Sequence, residues 1–112
     1  MVRRSDKTIS GRDLARVQEI VRQVAQIVER ATDGLSFQVR LFGSWASGNA
    51  RPRSDIDIAI DGPKPVDPVR MTQIREACDR LPTLFTVDLV DLASTSAEFR
   101  ETVRRQTRTV QP

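Results

Sequence analysis

The chain has 112 residues, 38% of them apolar and 29% charged, with 18 basic against 15 acidic side chains and a net charge of +3. That is one domain's length and enough for a single hydrophobic core, and no apolar run approaches the ~20 residues that span a bilayer. Histidine and tyrosine are absent and cysteine occurs once, which excludes histidine-based catalysis, an intrachain disulfide and a multi-cysteine zinc site, and leaves carboxylates as the available general bases and hard-metal ligands.

The opening Met1–Lys7 carries basic residues with no apolar stretch behind them, so no secretory leader is expected and a cytoplasmic location is the expectation. Residues 1–9 and 107–112 are expected to be flexible ends of a single domain spanning 1–112. Ser10 and Asp13 make an N-terminal capping pair. Leu14, Val17, Val21, Val24, Val28 and Ala31 then recur at alternating spacings of three and four, which predicts an amphipathic helix over 11–32. Asp33-Gly34 ends it. From Ser36 to Phe42, Phe37, Val39 and Leu41 alternate with polar residues as in a half-buried strand.

Gly43–Gly48 breaks that strand with a short helical turn, and Asn49–Ser54 is a polar loop. Asp55–Asp61 is a second strand with Ile56, Ile58 and Ile60 on one face. Asp67-Pro68 caps a third element, helical through Met71, Ile74, Cys78 and Leu81 until Pro82. Cys78, in phase with that apolar face, reads as core. Leu84–Leu92 is a third strand. Thr95–Glu98 reads as a capping box for a short polar helix to about Gln106, whose only large apolar residues are Phe99 and Val103. The basic tail after it suits either a frayed end or a short edge strand. The expected fold is α+β, a small mixed sheet with helices packed on one face.

The informative stretch runs from Phe42 to Ile60. A strand ends in Gly43-Ser44, and ten residues later Asp55-Ile56-Asp57 opens the next strand. Glycine lets backbone approach a ligand closely, successive amides at a turn and helix start form a nest for anions, and the Ser44 hydroxyl adds a hydrogen bond to a phosphate oxygen. Asp55 and Asp57 project from the same face of a strand, roughly 6–7 Å apart at the backbone, a spacing from which two carboxylates can meet a hard cation. Asp88 lies on the polar side of the third strand, whereas Asp91 is out of phase with it, so Asp88 is the natural third carboxylate. An Asp-x-Asp pair alone is often the wet face of a sheet, and Gly-Ser alone is a common loop. The combination carries the signal.

Gly-Ser, a ten-residue gap and Ser-Asp-Ile-Asp-Ile-Ala-Ile resemble the signature of the nucleotidyltransferase superfamily related to DNA polymerase beta. More narrowly, the leading helix, the chain length and the Val87–Asp91 stretch followed by Ser96–Arg100 resemble the minimal nucleotidyltransferase (MNT) proteins, over residues 14 to 106. The resemblance implies a polymerase beta palm-like fold that binds ATP or another NTP with two Mg²⁺ ions. Gly43, Ser44 and Arg53 would hold the phosphates. Asp55 and Asp57 would bind both metals and Asp88 the catalytic one, for in-line displacement at the α-phosphate. It also implies a HEPN partner, a small helical bundle and often an RNase, for which the MNT chain is an antitoxin that adds AMP to a hydroxyl.

One position departs from the pattern. Many members read Gly-Ser-x-Ala-Arg-Gly where this chain has Ser47 in place of the arginine. Arg51 and Arg53 in the following loop either replace that cation or are simply solvated. Trp45 beside the loop suits a ring on the core edge better than base stacking or a partner contact. Larger relatives carry a second domain for the base and the acceptor, so here those contacts are expected from another chain or a dimer mate. Three readings result: a minimal adenylyl-type transferase, a catalytically weak nucleotide-binding subunit that neutralises its partner by binding alone, and a basic nucleic-acid-binding domain. The 4% aromatic content and the lack of a nucleic-acid module argue against the third.

Overall fold

The computed structural model describes residues 11–32 and 36–106, together with the backbone of 108–110. The elements are α1 (Gly11–Ala31), β1 (Gln38–Phe42), α2 (Ser44–Ser47), β2 (Ile56–Asp61), α3 (Pro68–Asp79), β3 (Val87–Asp91), a 3-10 turn (Leu92–Ser94), α4 (Ala97–Gln106) and β4 (Arg108–Val110). The strands form one mixed sheet in the order β3-β2-β1-β4. β2 pairs antiparallel with β1 and parallel with β3. The parallel pair needs a crossover, and α3 supplies it. The tail forms the edge strand β4, antiparallel to β1. The Ser10 cap and the Asp33-Gly34 stop lie outside the described residues, as do 1–9, 107, 111 and 112.

Period-two patterning sorts the sheet into two faces. Register places Val39 opposite Ile60 and Leu41 opposite Ile58, while Ile56 and Ile58 stand beside Val87 and Leu89. Onto this face α1 lays Val17, Ile20, Val21, Val24 and Val28, all nearly inaccessible to solvent, and α3 lays Met71, Ile74 and Cys78. Each large aliphatic side chain buried this way contributes about 1.5–3 kcal/mol. The α+β architecture with helices over one face of a small mixed sheet is therefore present. Helix α4 adds a smaller contact on the opposite face, where Val103 and Leu92 pack on Ala59 with Phe42 at the margin.

Helix starts follow local chemistry. The Asp67 carboxylate accepts from the Val69 amide at 2.8 Å, with Pro68 opening α3. For α4 the cap sits one residue later than the sequence pattern suggests. Ser96 Oγ accepts from the Phe99 amide at 3.1 Å, whereas Thr95 Oγ1 donates to the Leu92 carbonyl at 2.6 Å. The 3-10 turn after β3 uses Thr95 to close itself, which leaves Ser96 as the free hydroxyl at the helix mouth. Among the described residues no helix is long and apolar enough to cross a membrane.

Candidate active site

The site lies on the less covered face of the sheet, at the end where β1 finishes and β2 and β3 begin. Asp57 and Asp88 are direct neighbours in the parallel β2–β3 register, so their side chains leave the same face of adjacent strands. Phe42 is the antiparallel partner of Asp57 on the other side. Opposite residues in such a pair have Cβ atoms about 4.5–5.5 Å apart, so Asp57 stands between Asp88 and Phe42.

Gly43 follows Phe42 and takes φ 74° and ψ −154°, a conformation that side chains strongly disfavour. The approach is also too close for any other residue. A Cβ on Gly43 would stand 2.1 Å from Oδ2 of Asp57. The glycine before Ser44 therefore does two things at once. It turns the chain from β1 into α2, and it leaves the volume that the Asp57 carboxylate occupies. Its carbonyl accepts from the amides of Ala46 at 3.2 Å and Ser47 at 3.0 Å, so the short turn is closed behind Ser44. The leading amides of such a turn have no acceptor within it.

Trp45 ties the bend to the aspartates. Its ring is buried, it meets Phe85 edge-to-face at 5.8 Å, and Nε1 donates to the Ser54 carbonyl at 2.9 Å. One side chain thus links α2 to the residue before Asp55 and to the approach to β3. This is the core-edge role expected of it, with the added function of setting the distance between Gly-Ser and Asp-x-Asp. Cys78 is core as well, its thiol pushed up to about 11 chiefly by burial.

Electrostatics mark the carboxylate pair. The Asp57 carboxyl is held above its ordinary 3.8, first by burial, then by the charges of Asp88 and Asp55, and by a side-chain hydrogen bond with Asp88. Crowding of like charges without a local cation is the arrangement in which a bound divalent ion lowers the energy most. Asp55 is exposed in the segment before β2 and acts on Asp57 through charge. Among the described residues no three acidic side chains converge into a finished metal cluster: the structure makes the Asp57–Asp88 pair and leaves Asp55 beside it.

The arginines are less engaged. Arg51 and Arg53 are exposed on a turn closed by Ser54, whose Oγ accepts from the Arg51 amide at 2.8 Å, and among the described residues neither guanidinium is joined to a carboxylate. Ser47 Oγ donates to the Ser44 carbonyl at 3.3 Å and accepts from Asn49, so it serves the turn's own bonding. Asp91 faces the helical side, where Oδ2 accepts from the Val66 amide at 2.9 Å and from Ser94 Oγ at 3.3 Å. The out-of-phase reading that set it aside agrees with this placement.

Sequence reasoning passed over Asp61. Two strand positions beyond Ala59, it accepts from Arg40 Nε at 2.8 Å and from Arg104 Nε and Nη2 at 3.0 and 2.8 Å. That clamp fastens α4 across the sheet and holds the Asp61 carboxyl below its ordinary value, mainly through the Arg104 hydrogen bonds. The available signal was the shared phase of Arg40 with Phe42 and of Asp61 with Asp57.

The family described as "Polymerase beta, Nucleotidyltransferase" matches residues 22–111. The chain belongs to this family and is a nucleotidyltransferase. It is 33% identical over 97 residues to the probable protein adenylyltransferase MntA of Haemophilus influenzae, an overlap of 87% of this chain and 77% of that protein. This likeness places it in the minimal (MNT) group of the family. Among solved structures it is similar to a toxin–antitoxin with AMP-PNP, with a TM-score of 0.58 and 26% identity over 80% of this chain and 71% of the other. A mutant of the toxin–antitoxin MntA-HpeT shares the fold, with a TM-score of 0.54 and 24% identity over 78% of this chain and 70% of that one.

Proposed function

We propose that this chain transfers an adenylyl group from ATP to a hydroxyl of a partner protein in the cytoplasm, and that it is the antitoxin of a toxin–antitoxin pair whose toxin is a HEPN-type helical bundle. The observation that carries the reading is the Asp57–Asp88 pair on adjacent parallel strands, with Gly43 vacated to admit the Asp57 carboxylate. The relative named as a probable protein adenylyltransferase and the similar toxin–antitoxin bound to AMP-PNP support the chemistry and the setting.

In this reading Gly43 and Ser44 receive the triphosphate, with Arg53 reaching it from the loop. Asp57 and Asp88, with Asp55, hold Mg²⁺, and the raised proton affinity of Asp57 in the crowded pair fits them for it. When bound, the divalent ions supply charge neutralisation at the phosphates and Lewis-acid activation of the acceptor hydroxyl. The acceptor oxygen forms a bond to the α-phosphorus as the bond to pyrophosphate breaks, and the hydroxyl proton passes to solvent water at the exposed site. The protein's share is to keep the two carboxylates in fixed register and the phosphate-binding bend against them.

The second reading, nucleotide binding with weak catalysis and neutralisation by contact alone, draws on Ser47. It is exposed and its hydroxyl bonds the turn's own backbone where many family members carry a cation, and Arg51 and Arg53 are exposed with no carboxylate partner among the described residues. One experiment separates the two. The chain is co-expressed with the protein encoded beside it and incubated with ATP and Mg²⁺, and both proteins are weighed by mass spectrometry. The transferase reading expects one or more AMP additions on the partner and loss of at least about 100-fold in rate for Asp57→Asn. ATP binding without any mass gain would favour the second reading. Equal activity in Asp57→Asn would place the site elsewhere.

A further inference from the structure

Helix α4 is strongly polar, and its two large apolar residues part company. Val103 is sealed against Ala59 and Leu92, whereas Phe99 keeps 37% of its surface exposed. Its ring stands edge-to-face on Phe42, centroids 5.9 Å apart and planes at 86°. Phe42 is the register partner of Asp57 and the residue before Gly43. The partly exposed Phe99 therefore packs on the last residue of the strand that leads into the Gly43-Ser44 bend, one register position across from Asp57. The Asp61 clamp to Arg104 and the Ser96 cap fix the helix at both ends of this contact.

We propose that Phe99, backed by Phe42, is the surface on which the base of the bound nucleotide stacks. The inference rests on the reading of Gly43-Ser44 and the aspartates as the nucleotide site and extends it to the nucleoside end. It also means that this chain supplies its own base contact, in place of the other chain or dimer mate expected from its size. A purine base is a flat π-surface that gains by lying on an exposed aromatic ring. A ring already locked by an edge-to-face neighbour loses little freedom when the base arrives.

The test compares ATP with inorganic tripolyphosphate, which has the phosphates and no base. Binding of each to the full chain in Mg²⁺ is measured by isothermal titration calorimetry for wild type, Phe99→Leu and Phe99→Trp, with thermal melts to confirm folding. Phe99→Leu is expected to weaken ATP by roughly 5- to 150-fold, the span of one lost base stack, and to leave tripolyphosphate unchanged. Phe99→Trp is expected to restore ATP. In the wild-type chain, ATP but not tripolyphosphate is expected to shift the Phe99 ring protons in the NMR spectrum. The proposal is overturned if Phe99→Leu binds ATP as wild type does, if ATP and tripolyphosphate weaken together, or if ATP leaves the ring protons unmoved. A wild-type chain that binds neither ligand would instead defeat the nucleotide-site reading beneath it.

Discussion

Asp57 occupies a position that is costly without a ligand. Burial and the charges of Asp88 and Asp55 raise its pKa above 3.8. A carboxyl whose folded pKa is raised favours the folded state while protonated and opposes it once pH rises through that raised value. Metal-free Asp57→Asn is therefore expected to melt at a higher temperature than wild type at neutral pH, since the amide removes one charge and can donate to Asp88. The gap should close as pH falls toward 3.8, and Mg²⁺ should raise the melting temperature of wild type but not of the variant. Calorimetric scans at two pH values, with and without Mg²⁺, check this. A variant less stable than wild type throughout would mean that the pair is not under repulsion. Activity and stability thus pull apart at one residue, as is common where a site stores unfavourable electrostatics for its ligand.

At the scale of elements, α4 is the part most dependent on a few contacts. Its buried apolar contribution is Val103, and Asp61 supplies the polar fastening through Arg40 and Arg104. Replacing Asp61 by Asn strands the half-buried Arg40 guanidinium and is expected to cost about 1–3 kcal/mol in urea unfolding at neutral pH. The sign of its pH dependence is opposite to that at Asp57. The Asp61 carboxyl is held low, so its stabilisation is present above the unfolded value and is lost as pH falls below 3.8 through the folded one. The difference between wild type and Asp61→Asn should shrink in acid. Because α4 carries Phe99, the same variant is expected to weaken ATP more than tripolyphosphate, which links the clamp to the nucleoside end of the site.

For the whole molecule, the core on the α1–α3 face acts as one unit. Val17, Val24, Ile56, Ile58, Ile60 and Ile74 have no measurable exposure and belong to a single cluster with Cys78. The Cys78 thiol sits 6% exposed on that cluster, its pKa pushed up to about 11. Both facts suppress thiolate attack. Labelling of Cys78 by a disulfide reagent at pH 8 is expected to follow opening of the core, to be slowed by ATP and Mg²⁺, and to accelerate sharply in denaturing urea. Rapid labelling of the native protein would show that α3 opens independently of the sheet.

The amino-acid sequence alone determined the elements and their faces. Strict alternation in Ile56–Asp61 and the three-four spacing of Val17, Val21, Val24 and Val28 are local periodicities that a buried face imposes directly on residue choice. The Gly-Ser and Asp-x-Asp pieces were legible for the same reason, since each lies within one short segment. Tertiary structure decided what depends on residues distant in the chain. Only register shows that Asp88 stands beside Asp57 while Asp55 remains outside the pair, that Gly43 is required by a carboxylate fourteen positions on, and that Asp61 reaches an arginine 43 residues away. Periodicity records which side of an element is buried. It carries no record of which residue of another element lies against it, and in this protein the site is made of such pairings.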